Sequence, residues 1–299
     1  MGTTLPERVL PLSPHSATLG PLFYAAFTLV FVLGTLGCVS VLLLVAWHRR
    51  LRTVPSFYIF NVALADLLLC FFSVLLSPTS TLLRDWPFGN VLCFLCPYGE
   101  RLALFVHGYT LLVASLHTVV RTAPSGIACH LANLGIWLLG LVLCLPYALF
   151  VDRRVLSERG QCVLSLPASL KTLEPFVSFV VFIMLPFSAV SVCYGYQRSP
   201  AWPRGKTGRS ELRRDTVRVF WLMSAMLLLC FFPVYLARGV ALLWMPARIN
   251  PYMEMVIMAS HAVAMSVVCF TAVFFCYLNS KHLVHQKVKW APLVTPSDI

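Results

Sequence analysis

Seven stretches of this 299-residue chain are each long and apolar enough to form a helix that crosses a membrane, over about residues 21–47, 57–79, 92–120, 127–150, 174–196, 216–245 and 252–278. A helical span needs roughly 20 mainly apolar residues, so these seven runs decide the architecture. Hydrophobic residues make up 59% of the chain and charged residues 11%, where a soluble domain carries about 25% charged residues. The connecting segments are short and leave no room for a soluble domain. The chain reads as an all-α membrane protein: a tail at 1–20, a seven-transmembrane helix bundle at 21–278, and a basic amphipathic helix with a tail at 279–299.

The net charge of +12 is placed by topology rather than by nucleic acid. Arg49, Arg50 and Arg52 follow span one, and Arg121 follows span three. Arg198, Arg204, Lys206, Arg209, Arg213, Arg214 and Arg218 lie between spans five and six, and Lys281, Lys287 and Lys289 follow span seven. Basic loops stay in the cytoplasm, so the N-terminus is expected outside and the C-terminus inside. Residues 1–20 show no separate apolar segment with a cleavage site, so span one is expected to act as its own insertion signal. The segment at 279–289 is expected to lie on the inner lipid surface.

A few polar residues interrupt the apolar runs, and they are the candidates for function. Asp66 falls near the middle of span two, where a carboxylate is expensive and a functional role is the default; a packing role as a neutral acid is the alternative. In span three, Glu100 and Arg101 stand side by side near the outer end and His107 stands alone in the middle. Arg238 in span six, and Glu254 and His261 in span seven, lie toward the same end. Buried charges must pair with each other or with a ligand. Glu100 and Arg238 both turned inward would make an amphoteric site suited to a charged peptide; an internal salt bridge from Glu100 to Arg238 or to Arg101 is the competing reading. Pro186 and Pro233 each loosen a helical hydrogen bond and are expected to act as hinges. Trp86-Pro-Phe-Gly89 reads as a tight turn before span three. The loop from Gln197 to Asp215 reads as a flexible connector.

Of 11 cysteines, most fall in spans and read as small buried hydrophobes. Cys93, Cys96 and Cys162 fall on the outer side, where oxidation is allowed. The Cys93/Cys96 pair lacks a second pair or an outer histidine and is a poor zinc site. No lysine lies inside a span, no HExxH motif or phosphate-binding glycine loop occurs, and His282/His285 form only a lone HxxH. The reading therefore has no catalytic residue, metal or cofactor. A membrane enzyme or transporter is a weaker alternative, since no convergent His/Asp/Ser site and no repeated halves are visible.

In order along the chain, Asn61…Leu64-Ala65-Asp66, Trp86-x-Phe88-Gly89 with Cys93, Trp137, Cys162, Pro186 with Tyr194, and Cys230-x-x-Pro233 form a pattern. It resembles the rhodopsin-like (class A) G-protein-coupled receptors over nearly the whole chain. Phe105-x-His107, Pro251-Tyr-x-Glu-Met255 and the altered end of span seven give it an orphan-like cast within that family. The resemblance implies a plasma-membrane receptor for an extracellular ligand, here a peptide, that signals to a heterotrimeric G protein or arrestin, with lipid around it. It implies a disulfide from Cys93 to Cys162, with Cys96–Cys162 as the minor option. It also implies ligand contacts at Glu100, Arg101, Arg238, Glu254 and His261.

Departures from the family pattern carry equal weight. His117-Thr118-Val119 stands where the family has Asp-Arg-Tyr, Thr271 where it has the asparagine of Asn-Pro-x-x-Tyr, and Phe231 where it has tryptophan. His107 stands where a serine helps to hold sodium. The implied consequences are an Asp66–His107 contact, with Thr271, that takes the ion's place, and a transducer face of His117, Thr118, Arg121 and Tyr194 with weak or atypical coupling. A neutral His107 bonded to a backbone carbonyl, and a non-signalling scavenger or chaperone, are the respective alternatives.

Overall fold

The computed structural model describes residues 14–48, 51–83, 85–120, 126–156, 159–164, 167–200, 202, 208–244 and 252–290. Seven helices in it are long and apolar enough to cross a membrane: Leu19–Trp47, Val54–Thr81, Gly89–Val120, Gly126–Leu149, Thr172–Arg198, Glu211–Leu243 and Tyr252–Ser280. They are spans one to seven. Span three is central and packs against spans two, four, five and six. Spans one and four bury the least of themselves and keep leucine-rich faces outward, as expected where the solvent is lipid.

The local chemistry explains where the helices bend. Pro78 and Pro186 have no N–H for the carbonyls four residues earlier. Each is preceded by a widened π-helical stretch, Cys70–Leu76 in span two and Val180–Met184 in span five. The Tyr109 hydroxyl of span three donates to Val181 O in the second stretch at 3.3 Å. Gly108 lets span three approach there: a Cβ at this position would lie 3.0 Å from Pro186 Cγ and 3.1 Å from Phe182 O. Pro233 sits inside an unbroken helix, Gly208–Leu243. Span seven divides at Ser266 into Tyr252–Met265 and Val267–Trp290, with no proline at the break. The Ser266 hydroxyl bonds Val263 O at 2.7 Å, satisfying a carbonyl at the end of the first piece. The second piece runs on through 279–289, so that segment is helical and continuous with span seven.

Two expectations change in detail. The segment between spans four and five folds into a β-hairpin, β1 (Val151–Leu156) antiparallel to β2 (Arg159–Leu164), with Arg153 opposite Cys162. The bundle is therefore helical with one two-stranded addition. The helix of span five runs to Arg198 and that of span six starts at Gly208, so residues 208–215 are not a loose connector. Buried Gln197 ties the two helices by donating to Arg213 O at 3.1 Å.

The turn before span three forms as read. Gly89 has φ of +77°, a conformation a side chain would strain. The Trp86 indole N–H donates to its carbonyl at 2.7 Å. Cys93 and Cys162 are joined by a disulfide, which fastens the hairpin to span three, while Cys96 stays a buried thiol that bonds Phe72 O at 3.2 Å. Replacing Cys93 or Cys162 by serine is expected to cost about 2–4 kcal/mol and to shift the nonreducing gel pattern identically. The Cys96 variant should leave that pattern unchanged; a shift there would give Cys96 the bond.

Candidate functional site

At the hairpin end, the charged residues of span three face inward and find partners that the sequence did not announce. Arg101 is buried. It donates to the Tyr235 hydroxyl of span six at 2.8 Å and to Glu174 Oε1 of span five at 3.3 Å. Its guanidinium lies over the rings of Tyr147 at 5.3 Å and Tyr235 at 5.9 Å. Glu100 is a looser neighbour at 3.9 Å. The Ser178 hydroxyl donates to Glu174 at 2.8 Å and meets the Tyr147 hydroxyl at 2.6 Å. One arginine thus connects spans three, four, five and six.

Of the residues expected to meet a ligand, Glu100, Arg101, Arg238 and His261 share this end; Glu254 is exposed on the first turn of span seven. The His261 ring is buried and lies within 3.2 Å of both the hydroxyl and the carbonyl of Ser73, with Phe27 5.8 Å from its centroid. Ser73 lies in the π-helical stretch of span two, whose extra residue per turn changes which side chains face the bundle. Glu100 lies within electrostatic reach of Arg238 and His261. The salt bridges among the described residues here run through Arg101. Glu174, Tyr147, Ser178 and Tyr235 are the members that sequence reading missed. Glu174 was the one with a usable signal, as a lone acid in the opening turn of an apolar span.

In the middle of the bundle, His107 Nδ1 lies 2.7 Å from Asp66 Oδ1, and the Thr271 hydroxyl donates to Asp66 Oδ2. All three are no more than 1% exposed. The ring nitrogen is assigned as the donor and the carboxylate oxygen as the acceptor of this bond. His107 Nε2 has no hydrogen-bond partner. The alternative in which His107 bonds a backbone carbonyl does not form. One layer away, Asn61 donates to the Thr110 hydroxyl at 2.7 Å and accepts from the Trp137 indole at 2.8 Å, joining spans two, three and four.

At the opposite end, His117 Nδ1 meets the Tyr58 hydroxyl. The Thr118 hydroxyl turns back to Ala114 O at 2.8 Å. Tyr194 stacks on Trp221 at 5.0 Å and accepts from Arg198 at 2.9 Å. Arg121 lies outside the described residues. Of the hinge residues, Pro186 is buried against span three, Phe231 is 2% exposed in the core, and Pro233 is half-buried.

Comparison with known proteins agrees with this geometry. The family model described as "7 transmembrane receptor (rhodopsin family)" matches residues 37–279. The somatostatin receptor type 4 of Rattus norvegicus is 28% identical over 227 residues, covering 71% of this chain and 59% of the relative. The neuropeptide receptor npr-1 of Caenorhabditis elegans is 27% identical over 222 residues, covering 71% of this chain and 47% of the relative. The neuromedin-K receptor of Homo sapiens is 21% identical over 296 residues, covering 92% of this chain and 63% of the relative. The chain thus spans less than two thirds of the length of these relatives. With the seven spans, the central span three and the Cys93–Cys162 bridge in place, and with the family match covering most of the chain, this protein belongs to the rhodopsin family of seven-transmembrane receptors.

Proposed function

We propose that this protein is a plasma-membrane receptor for an extracellular peptide, with its N-terminus outside, its C-terminus inside, and weak or atypical coupling to a heterotrimeric G protein or arrestin. The observation that carries the ligand class is the set of charged and aromatic side chains at the hairpin end: Glu100, Arg101, Glu174, Arg238 and His261. Charges withdrawn from water are costly unless used, and a ligand that is itself charged uses them. The relatives' names point the same way, since they are receptors for somatostatin and neuropeptides. The basic loops support the orientation, and the outward leucine faces of spans one and four suit lipid contact.

Atypical coupling rests on the opposite end. No arginine occupies position 118, the Thr118 hydroxyl is spent inside its own helix, and His117 is held by Tyr58. A ligand shifts a pre-existing equilibrium of helix arrangements, with Pro186 and Pro233 as the points of bending. The missing arginine at this end also favours the second reading, a receptor-like scavenger or chaperone that binds without signalling. A transducer-recruitment assay in cells separates them. Thr118→Arg is expected to raise basal recruitment about 5-fold or more. Strong ligand-driven recruitment by the natural protein, unchanged by Thr118→Arg, would overturn the atypical-coupling reading.

A further inference from the structure

We infer that the hairpin-end site recognises a carboxylate, with Arg238 as its first cation and Arg101 as its second, and that Glu174 is the internal stand-in that holds Arg101 when no ligand is bound. This rests on the receptor reading above and narrows it to an acidic group on the ligand.

The inference starts from how incompletely the guanidinium of Arg101 is used. A forked arginine–carboxylate pair makes two parallel bonds of about 2.7–2.9 Å. Arg101 makes neither of these with Glu174 or Glu100. Glu174 offers one oxygen at 3.3 Å, and that oxygen is shared with the Ser178 hydroxyl at 2.8 Å. Glu100 offers one oxygen at 3.9 Å. The short bond of Arg101 goes instead to a neutral group, the Tyr235 hydroxyl. Glu174 therefore neutralises Arg101 without gripping it, and its side chain keeps 15% of its surface exposed.

Charge balance points the same way. The cluster holds two carboxylates, Glu100 and Glu174, and two guanidiniums, Arg101 and Arg238. Both carboxylates are drawn to Arg101. The Ser73 hydroxyl nearby lies 3.2 Å from His261 Nε2. Arg238 lies one turn beyond Tyr235 on the same face of span six. It is half-buried and acts electrostatically on Glu100, Tyr235 and His261 alike. Among the described residues no carboxylate lies within salt-bridge distance of it. The four formal charges cancel, but both carboxylates lie on Arg101, so Arg238 is the guanidinium left open to a ligand, and the rings of Tyr147 and Tyr235 lie against Arg101 beside it. A cationic ligand would have to draw Glu100 away from Arg101; an anionic one meets Arg238 directly and then competes with Glu174 for the open fork of Arg101. Release of Glu174 frees the start of span five from span three, which is how binding reaches the helices.

The source of the carboxylate is either a peptide C-terminus or an acidic side chain. The test uses the full chain in lipid nanodiscs and three probes: acetyl-Leu-Trp with a free C-terminus, the same peptide amidated, and acetyl-Glu-Leu-Trp-amide. At millimolar probe, one or both carboxylate peptides are expected to raise the melting temperature by about 2–4 °C and the amide to leave it unchanged. The larger shift identifies the source. Arg238→Gln should abolish the shift, and Arg238→Lys, which keeps the charge, should retain part of it. Glu174→Gln, which can still accept from Ser178, should enlarge the shift. A shift from the amide equal to that from the acids, no shift from any probe, or a full shift in Arg238→Gln overturns the carboxylate site. Acid-specific stabilisation of a protein that recruits no transducer would keep this site and overturn the signalling receptor; recruitment driven by uncharged peptides would do the reverse.

Discussion

Replacing His107 by leucine is expected to destabilise the bundle by about 1–3 kcal/mol, the cost of leaving a buried acceptor without its donor. Asp66 is fully buried and is satisfied by two groups, the His107 imidazole at 2.7 Å and the Thr271 hydroxyl. Leucine would leave the carboxylate with the hydroxyl alone, in a place water does not reach. Asp66→Asn in the leucine background should recover much of the loss, because an amide needs no counter-charge. Melting temperatures of the four proteins in detergent then give a coupling of about 0.5–3 kcal/mol between the two sites; additive losses would show that the contact contributes nothing. The same four proteins test whether the imidazole stands in place of an ion. Exchanging choline for sodium should leave the natural protein unchanged and should stabilise the leucine variant through Asp66. Sodium stabilisation of the natural protein that Asp66→Asn removes would sink the idea.

How much of this was readable beforehand depended on the kind of interaction. Span number and limits were readable because they depend on the length of an apolar run, a property local to each segment. The turn at Trp86–Gly89 was readable because a single glycine carries it. The partnership of Asp66, His107 and Thr271 followed from the family resemblance and not from periodicity, since nothing local says that residues 41 and 205 positions apart meet. Glu174 was missed for a related reason. It stands at the very start of an apolar span, and only the rotation of span five about its axis brings it to Arg101. The widened turns at Cys70–Leu76 and Val180–Met184 had just Pro78 and Pro186 as cues, and a proline says that a bond is lost without saying that an extra residue enters the turn. The break at Ser266 had no cue beyond a serine. The hairpin at Val151–Leu164 carries no clear cue either, since Val-Asp-Arg-Arg-Val-Leu lacks the strict alternation that marks a half-buried strand.

Arg101→Leu is the other substitution expected to be severe, and it separates a structural arginine from a merely ligand-facing one. The change removes the hydrogen bond to Tyr235, the contact with Glu174 and the cation over the Tyr147 ring in one step. The larger cost lies in what remains. Glu100 and Glu174, with side chains 12% and 15% exposed, would lose the cation that both now share, at an expected loss of about 3–5 kcal/mol. That corresponds to a fall of about 10 °C or more in melting temperature and to poor delivery to the cell surface. Adding Glu174→Leu should restore part of the stability, since well-packed apolar groups can replace a buried pair at little cost, while any response to an acidic ligand stays lost. If Arg101→Leu alone kept full stability and lost only ligand response, the four-span connection through Arg101 would be incidental to the fold. If the double variant were no better than the single one, the damage would come from the cavity and the freed tyrosines, and the stranded carboxylate of Glu174 would not be its cause.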